Sequence, residues 1–174
     1  MRSLTFWKLV TMDRSDLLER LIGLLTDSGA AFCVIGGQGV NAYAEPLVSL
    51  DLDLVVATAD LPRVEELLAR EFIVHHFPFS LNVSTPDSDL RVQIQKDPRY
   101  SSFPERSSRR ELLGLWLPIA AVEDVLQGKI WAVQDPTRRP SKRRKDLLDI
   151  ERLLDNDPSL RERVPDEILA RLQQ

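Results

Sequence analysis

Residues Val34 to Val56 read VIGGQGVNAYAEPLVSLDLDLVV, and this stretch carries most of what the sequence says about fold and site. It continues an apolar run, Ala31 to Ile35, that is rich in strand formers and short enough to be a buried strand. Gly36-Gly37 breaks the run. Gln38 to Ala44 reads as a short helix starting at that break. Glu45-Pro46 ends it, because the residue before a proline is pushed out of the helical region. Leu50 to Val56 then alternates. Leu50, Leu52 and Leu54 share one face and Asp51 and Asp53 the other, before Val55-Val56 carries the strand on.

Two carboxylates on one strand face repel each other unless a cation or solvent lies between them. Hard divalent cations such as Mg²⁺ take oxygen ligands, often one or two carboxylates plus substrate phosphates. Such an ion neutralises charge during phosphoryl transfer and holds the nucleotide in line. The plainer reading is an exposed strand face, although Asp is disfavoured in strands. Gly36-Gly37 lets the backbone approach phosphates closely at the start of a helix. Alone, it is only a tight turn. The combination of strand, Gly-Gly, short helix and Asp-x-Asp strand says more than either part.

Outward from this block, Asp13 is expected to cap a helix carrying Leu17, Leu18, Leu21, Ile22, Leu24 and Leu25, with Gly29 as its left-handed terminus. Asp60 is expected to cap the next helix, with Pro62 in its first turn. Strands are predicted over Ile73 to Phe77, Leu81 to Ser84, Leu90 to Gln95 and Leu113 to Ile119, with a turn at Thr85 to Asp89 and a polar loop over Asp97 to Arg110. Helices follow over Val122 to Val133, Lys142 to Leu154 and Pro165 to Leu172, with Asp135 to Ser141 as a linker. The fold class is therefore α/β (α+β), a mixed sheet flanked by helices with a helical C-terminal part. We expect one domain over 1–174, with a core over about 1–120 and helices over about 121–174.

At 43% apolar residues the chain can bury a sizeable core, and at a net charge of −4 it is not a polycation, so any nucleic acid must meet a local patch. The basic run Arg138, Arg139, Lys142, Arg143, Arg144, Lys145 is one such patch. Its plainer reading is a solvated helix surface pairing Lys142 with Asp146 and Lys145 with Asp149. Cys33, the one cysteine, reads as a buried small hydrophobe. His75 and His76 are adjacent on a strand and point apart, so they do not share a metal. Trp7, Trp116 and Trp131 read as core or subunit contacts. Met1 to Trp7 lacks a signal-peptide pattern and no apolar run approaches about 20 residues, so a cytoplasmic protein with no membrane partner is expected. No Ser-His-Asp signature or zinc spacing is present.

The Val34 to Val56 block resembles the signature of the nucleotidyltransferase superfamily, most nearly its AbiEii-like toxin and aminoglycoside-nucleotidyltransferase-like groups. Lys129, and Lys145 to Ile150, resemble the Lys and Lys-Asp-x-x-Asp elements late in AbiEii-like chains. The resemblance implies a palm-type core and transfer of NMP from an NTP to an RNA, protein or small-molecule acceptor. It implies that Asp51 and Asp53 bind Mg²⁺ or Mn²⁺ and serve catalysis. Gly36, Gly37 and Ser49 would cradle the triphosphate, and Lys129 and Lys145 would neutralise its charge. A toxin–antitoxin component with a cognate antitoxin is one setting it implies.

Two departures stand out. Leu47 stands where the group often has Arg. Gln93 and Gln95 fall where many active members carry a third carboxylate, and Gln cannot act as a general base. Asp87, Asp89 or Asp97 is the acid expected to reach the site from the strand ends. The alternative is therefore a catalytically degenerate nucleotidyltransferase-fold module for binding or regulation. A third reading, a sugar-nucleotide Asp-x-Asp site, fits poorly with so short a chain and the upstream Gly-Gly.

Overall fold

In the computed structural model, which describes residues 3–173, the alternating stretch becomes the strand Asp51–Val56 at the heart of a seven-stranded sheet. Met1, Arg2 and Gln174 lie outside the described residues, and with them the start of the stretch read for a leader and both ends of the expected domain. The strands are β1 (Phe32–Ile35), β2 (Asp51–Val56), β3 (Ile73–Phe77), β4 (Ser80–Ser84), β5 (Arg91–Gln95), β6 (Ser108–Leu112) and β7 (Leu115–Ile119), in the order β3-β4-β5-β2-β1-β7-β6. β2 runs antiparallel to β1 and parallel to β5, so the sheet is mixed, as expected. That register sets Asp51 opposite Arg91 and Asp53 opposite Gln93.

The helices are α1 (Ser3–Val10), α2 (Leu17–Asp27), α3 (Gly36–Asn41), α4 (Leu61–Glu71), α5 (Val122–Gln134), α6 (Pro140–Asn156) and α7 (Asp166–Leu172). They form layers on both sheet faces. Leu52, Leu54 and Val56 pack with Trp7 of α1, Leu21 and Leu25 of α2 and Leu68 of α4. Cys33, Ile35 and Val55 pack on the other face with Val40, Leu126, Ile130, Ile150 and Leu153. The two-residue period of β2 does both jobs. Burying Leu52 and Leu54 beneath α2 and α4 turns Asp51 and Asp53 toward α3, α5 and α6. Among the described residues no helix is long and apolar enough to cross a membrane.

Several details differ from the sequence expectation. Helix α1 was not expected. Its Trp7 is buried, and the indole N–H donates to the Ser49 carbonyl at 3.1 Å. Asp60 stands at the start of α4 but its carboxylate makes no cap bond. Its own backbone is already helical, at φ −92° and ψ −17°, whereas a cap needs extended geometry. The carboxylate instead accepts from the Ala31 N–H at 3.0 Å and from Arg63. The segment expected as a polar loop over Asp97 to Arg110 contains two 3-10 helices, Pro98–Tyr100 and Pro104–Arg106, and then enters β6. Tyr100 and Phe103 explain this order. They pack edge-on at 5.1 Å, and Tyr100 meets Trp131 at the same distance. Leu113 and Gly114 form the β6–β7 turn, both at positive φ, so β7 starts two residues later than expected. Trp116 is exposed and is not a core residue.

Other expectations hold. Gly29 ends α2 at φ 70°. Cys33 is fully buried, and burial pushes its thiol up to about 12. Asp13 caps α2 from four residues upstream, its carboxylate accepting from the Leu17 N–H at 3.0 Å and the Leu18 N–H at 3.3 Å. Asp13→Ala would orphan both donors and should cost about 1–2 kcal/mol in urea unfolding, with the slope unchanged.

Candidate active site

β1 hands the chain to α3 through Gly36, whose φ is +65°. A Cβ at this position would lie 2.1 Å from Asp53 Oδ2, so only glycine lets the Asp53 carboxylate occupy its place. Open space surrounds the Cβ position of Gly37. Both glycines border a cleft of about 450 Å³ over the sheet. Its floor includes Asp51, Asp53, Gln93, Asn82 and His75, and α5 and α6 supply Lys129, Lys142 and Lys145.

Asp51 is partly neutralised. Its Oδ1 lies 2.8 Å from Arg91 Nε, and its Oδ2 lies 3.8 Å from Lys142 Nζ. Asp53 makes no ion pair among the described residues. Burial is the main reason its carboxyl is held above the ordinary carboxylate value, and the Asp51 charge pushes the same way. Lys129, Arg138 and Lys145 pull against both. The pair is thus an incompletely neutralised negative spot lined by cations.

Behind the cleft lies a buried ion cluster. Lys129 Nζ sits 3.1 Å from Asp146 Oδ1 and 2.6 Å from Asp149 Oδ2. Burial alone would lower its pKa, but Asp149 and Asp146 outweigh that and hold it raised. Arg138 reaches Asp146 at 2.8 Å, and Arg152 reaches Asp149 at 2.8 Å. Arg152 also donates to Asn41 Oδ1 at 2.8 Å. The expected pairs Lys142–Asp146 and Lys145–Asp149 do not form, because both aspartates face inward to these other cations. Lys142 and Lys145 are left to line the cleft.

All seven residues singled out in the sequence border one cleft: Gly36, Gly37, Ser49, Asp51, Asp53, Lys129 and Lys145. Their situations differ. Ser49 is buried, and its Oγ accepts from the Asp51 N–H at 3.2 Å, fixing the entry to β2. The Lys129 ammonium is engaged by the cluster. Leu47 lies away from the cleft lining, its backbone clasped by the Asn41 amide at 2.8 and 3.0 Å. Gln93 lies directly across from Asp53, whereas the Gln95 side-chain Oε1 accepts from the Lys96 and Asp97 N–H groups, both at 3.0 Å. Asp87, Asp89 and Asp97 do not line the cleft. Arg91, Arg138 and Lys142 are further cations of the cleft lining. The basic run flagged two of them; only strand register reveals Arg91.

No protein-family model matches the sequence, and no curated protein does either. Solved structures do match. The antibiotic-resistance factor ANT(2'')-Ia superposes with a TM-score of 0.58 at 11% identity, covering 85% of this chain and 91% of that one. The lincosamide antibiotic adenylyltransferase LnuA, bound to lincomycin, gives 0.53 at 13% identity, over 80% of this chain and 97% of that one. An antigenic nucleotidyltransferase-like protein of Paracoccidioides brasiliensis gives 0.50 at 18% identity, over 81% and 77%. The fold is that of the nucleotidyltransferases. Within this nucleotidyltransferase fold, the cleft is built on the Gly-Gly and Asp-x-Asp elements that the sequence displays.

Two outcomes test the electrostatics. Because the Asp53 pKa is raised on folding, the native state binds more protons than the unfolded state between the ordinary value of 3.8 and its folded value. Stability falls as pH rises through that window. Asp53→Asn should therefore unfold at a higher temperature than the parent at pH 8, and the advantage should shrink toward pH 4. Lys129→Ala would leave Asp146 and Asp149 buried without their shared cation and should cost about 3–5 kcal/mol by denaturant unfolding.

Proposed function

We propose that this chain is a nucleotidyltransferase that moves NMP from an NTP to an acceptor, using the cleft over β2. The observation that carries this reading is the contact between Gly36 and Asp53. A residue without a side chain admits the Asp53 carboxylate beside a second one, Asp51, on the same strand face. The pair fits a hard divalent cation: it offers oxygen donors, and Asp53 has no ion-pair partner among the described residues. Among the described residues no third acid, histidine or cysteine joins them, so phosphate oxygens would complete the ligand set. When bound, Mg²⁺ or Mn²⁺ would supply charge neutralisation at the transferring phosphoryl group.

The chain's own residues do the rest. The backbone at Gly36 and Gly37 would approach the triphosphate. Ser49 keeps Asp51 in register at the start of β2. Lys145 and Lys142 would balance the charge of the phosphates and of the leaving pyrophosphate. Lys129 serves by holding α5 to α6, which keeps those two lysines over the cleft. RNA, protein and small-molecule acceptors are all compatible with this reading. The structures of ANT(2'')-Ia with adenylyl-tobramycin and of LnuA with lincomycin favour the last. The setting in a toxin–antitoxin pair, with a cognate antitoxin, rests on the sequence resemblance.

A second reading is favoured by Gln93, an amide directly across from Asp53 that cannot act as a general base. It is a nucleotide-binding module without turnover. Calorimetry with the four NTPs separates these readings from an unrelated function. Mg²⁺-dependent binding should appear and weaken by more than about 100-fold in Asp51→Ala/Asp53→Ala. Equal binding by that double variant, or no binding by the parent, would sink both.

A further inference from the structure

The helices leave part of one sheet face uncovered. On β4 and β5 the side chains of Leu81, Val83, Val92 and Ile94 enter the core beneath α2 and α4, and Val74 of β3 packs against it. The two-residue period turns the alternate positions toward the cleft side: Arg91 and Gln93 on β5, Asn82 on β4, and Ile73, His75 and Phe77 on β3. On that side α3, α5 and α6 pack over β1 and β2, and among the described residues none of β3, β4 or β5 joins their core. An open platform results. It starts at Asp53 and runs through the paired residues Gln93, Asn82 and His75. Three strand spacings make it about 14 Å wide, room for a strand of a few nucleotides.

The chemistry of this platform is not that of a merely solvated face, which carries polar residues throughout. At its far rim Ile73 is 45% and Phe77 49% exposed, and Phe79 of the adjoining turn is exposed as well. At its near end stand a guanidinium and an amide. The Arg91 side chain is 65% exposed, and it meets Asp51 through Nε, one of its five donors. β3, β4 and β5 contain no Asp or Glu, so a polycationic acceptor would find nothing to pair with here. Rings that stack on bases, amides that pair with base edges and a cation for a phosphate are the set that single-stranded nucleic acid requires.

We propose that the acceptor is a single-stranded polynucleotide, laid across β5, β4 and β3 with one end at Asp51 and Asp53. This rests on the nucleotidyltransferase reading and narrows its acceptor. His75 and Phe77 stack on bases, Asn82 and Gln93 read base edges, and Arg91 takes a backbone phosphate. Lys142 and Lys145, on the opposite wall of the cleft, stay with the triphosphate. A small-molecule acceptor would leave the β3 rim, about 14 Å from Asp53 at the strand spacing, unused.

Fluorescence anisotropy tests this. The protein is loaded with Mg²⁺ and the α,β-methylene analogue of the NTP it binds most tightly, which fills the triphosphate side. It is then titrated into end-labelled hexa-adenylate, once as RNA and once as DNA. At least one of the two should bind, and the comparison identifies the sugar. Phe77→Leu should weaken that binding about tenfold, whereas Phe77→Tyr, which keeps the ring, should retain it. A merely apolar or structural role for Phe77 would not separate Leu from Tyr. His75→Ala should weaken binding to a similar extent. No binding of either oligonucleotide to the loaded protein, or equal affinity in Phe77→Leu and Phe77→Tyr, overturns the proposal alone. Failure of the analogue to bind overturns the nucleotidyltransferase reading, and this proposal with it.

Discussion

Asp53 can face the cleft only because residue 36 has no side chain. A single methyl group there would collide with the carboxylate oxygen, and the positive φ of Gly36 already disfavours any other residue. Much follows from this contact. The turn at Gly36 swings α3 over β2, and α3 then organises the chain that returns to the sheet. Gln38 donates to the Ser49 carbonyl at 3.4 Å, and Asn41 clasps Leu47. Trp7 donates to the same Ser49 carbonyl from the opposite layer. The start of β2, and so the position of both aspartates, is fixed from both sides of the sheet.

The fold tolerates an unfavourable charge at Asp53 and organises others to contain it. Burying Lys129, Asp146 and Asp149 together is expensive in desolvation, and such clusters add little net stability even when well paired. Their effect here is on arrangement. Asp146 and Asp149 are one helical turn apart on α6 and both face Lys129 on α5. This fixes the rotation of α6, and the exposed lysines of the same helix then fall over the cleft. Arg152 extends the network to Asn41 and the Glu45 carbonyl, joining the C-terminal helices to the segment that leads into β2.

What the sequence made legible was local. Gly36-Gly37 and the Asp51–Asp53 alternation depend on backbone conformation and on the strand period, and both can be read from a few residues. The helices and strands around them announced themselves in the same way. What stayed hidden was set by partners distant in the chain. Lys129 is 17 positions from Asp146, so a rule about neighbours on a helix surface assigned Asp146 to Lys142 instead. The segment over Asp97 to Arg110 is polar enough to read as a loop, yet Tyr100 and Phe103 anchor it on Trp131. Helix α1 exists because Trp7 finds a buried slot and a carbonyl, neither visible from its own eight residues. Arg91 entered the site only through the β2–β5 register.

That register also explains how the residue at position 93 can vary without disturbing the fold. Parallel pairing sets residue 93 against Asp53 whatever its side chain is, because backbone hydrogen bonds fix the alignment. A carboxylate there would add a third negative charge beside Asp53, whose carboxyl burial and the Asp51 charge already hold above the ordinary value. An amide of nearly the same shape removes that repulsion and keeps hydrogen-bonding capacity. Gly36 and Gly37, on the other flank of β2, keep their place whichever residue stands at 93. The two flanks of β2 are thus separable in this sheet. Gln93 and Arg91 give the β5 flank amide and guanidinium donors where a carboxylate would offer only acceptors.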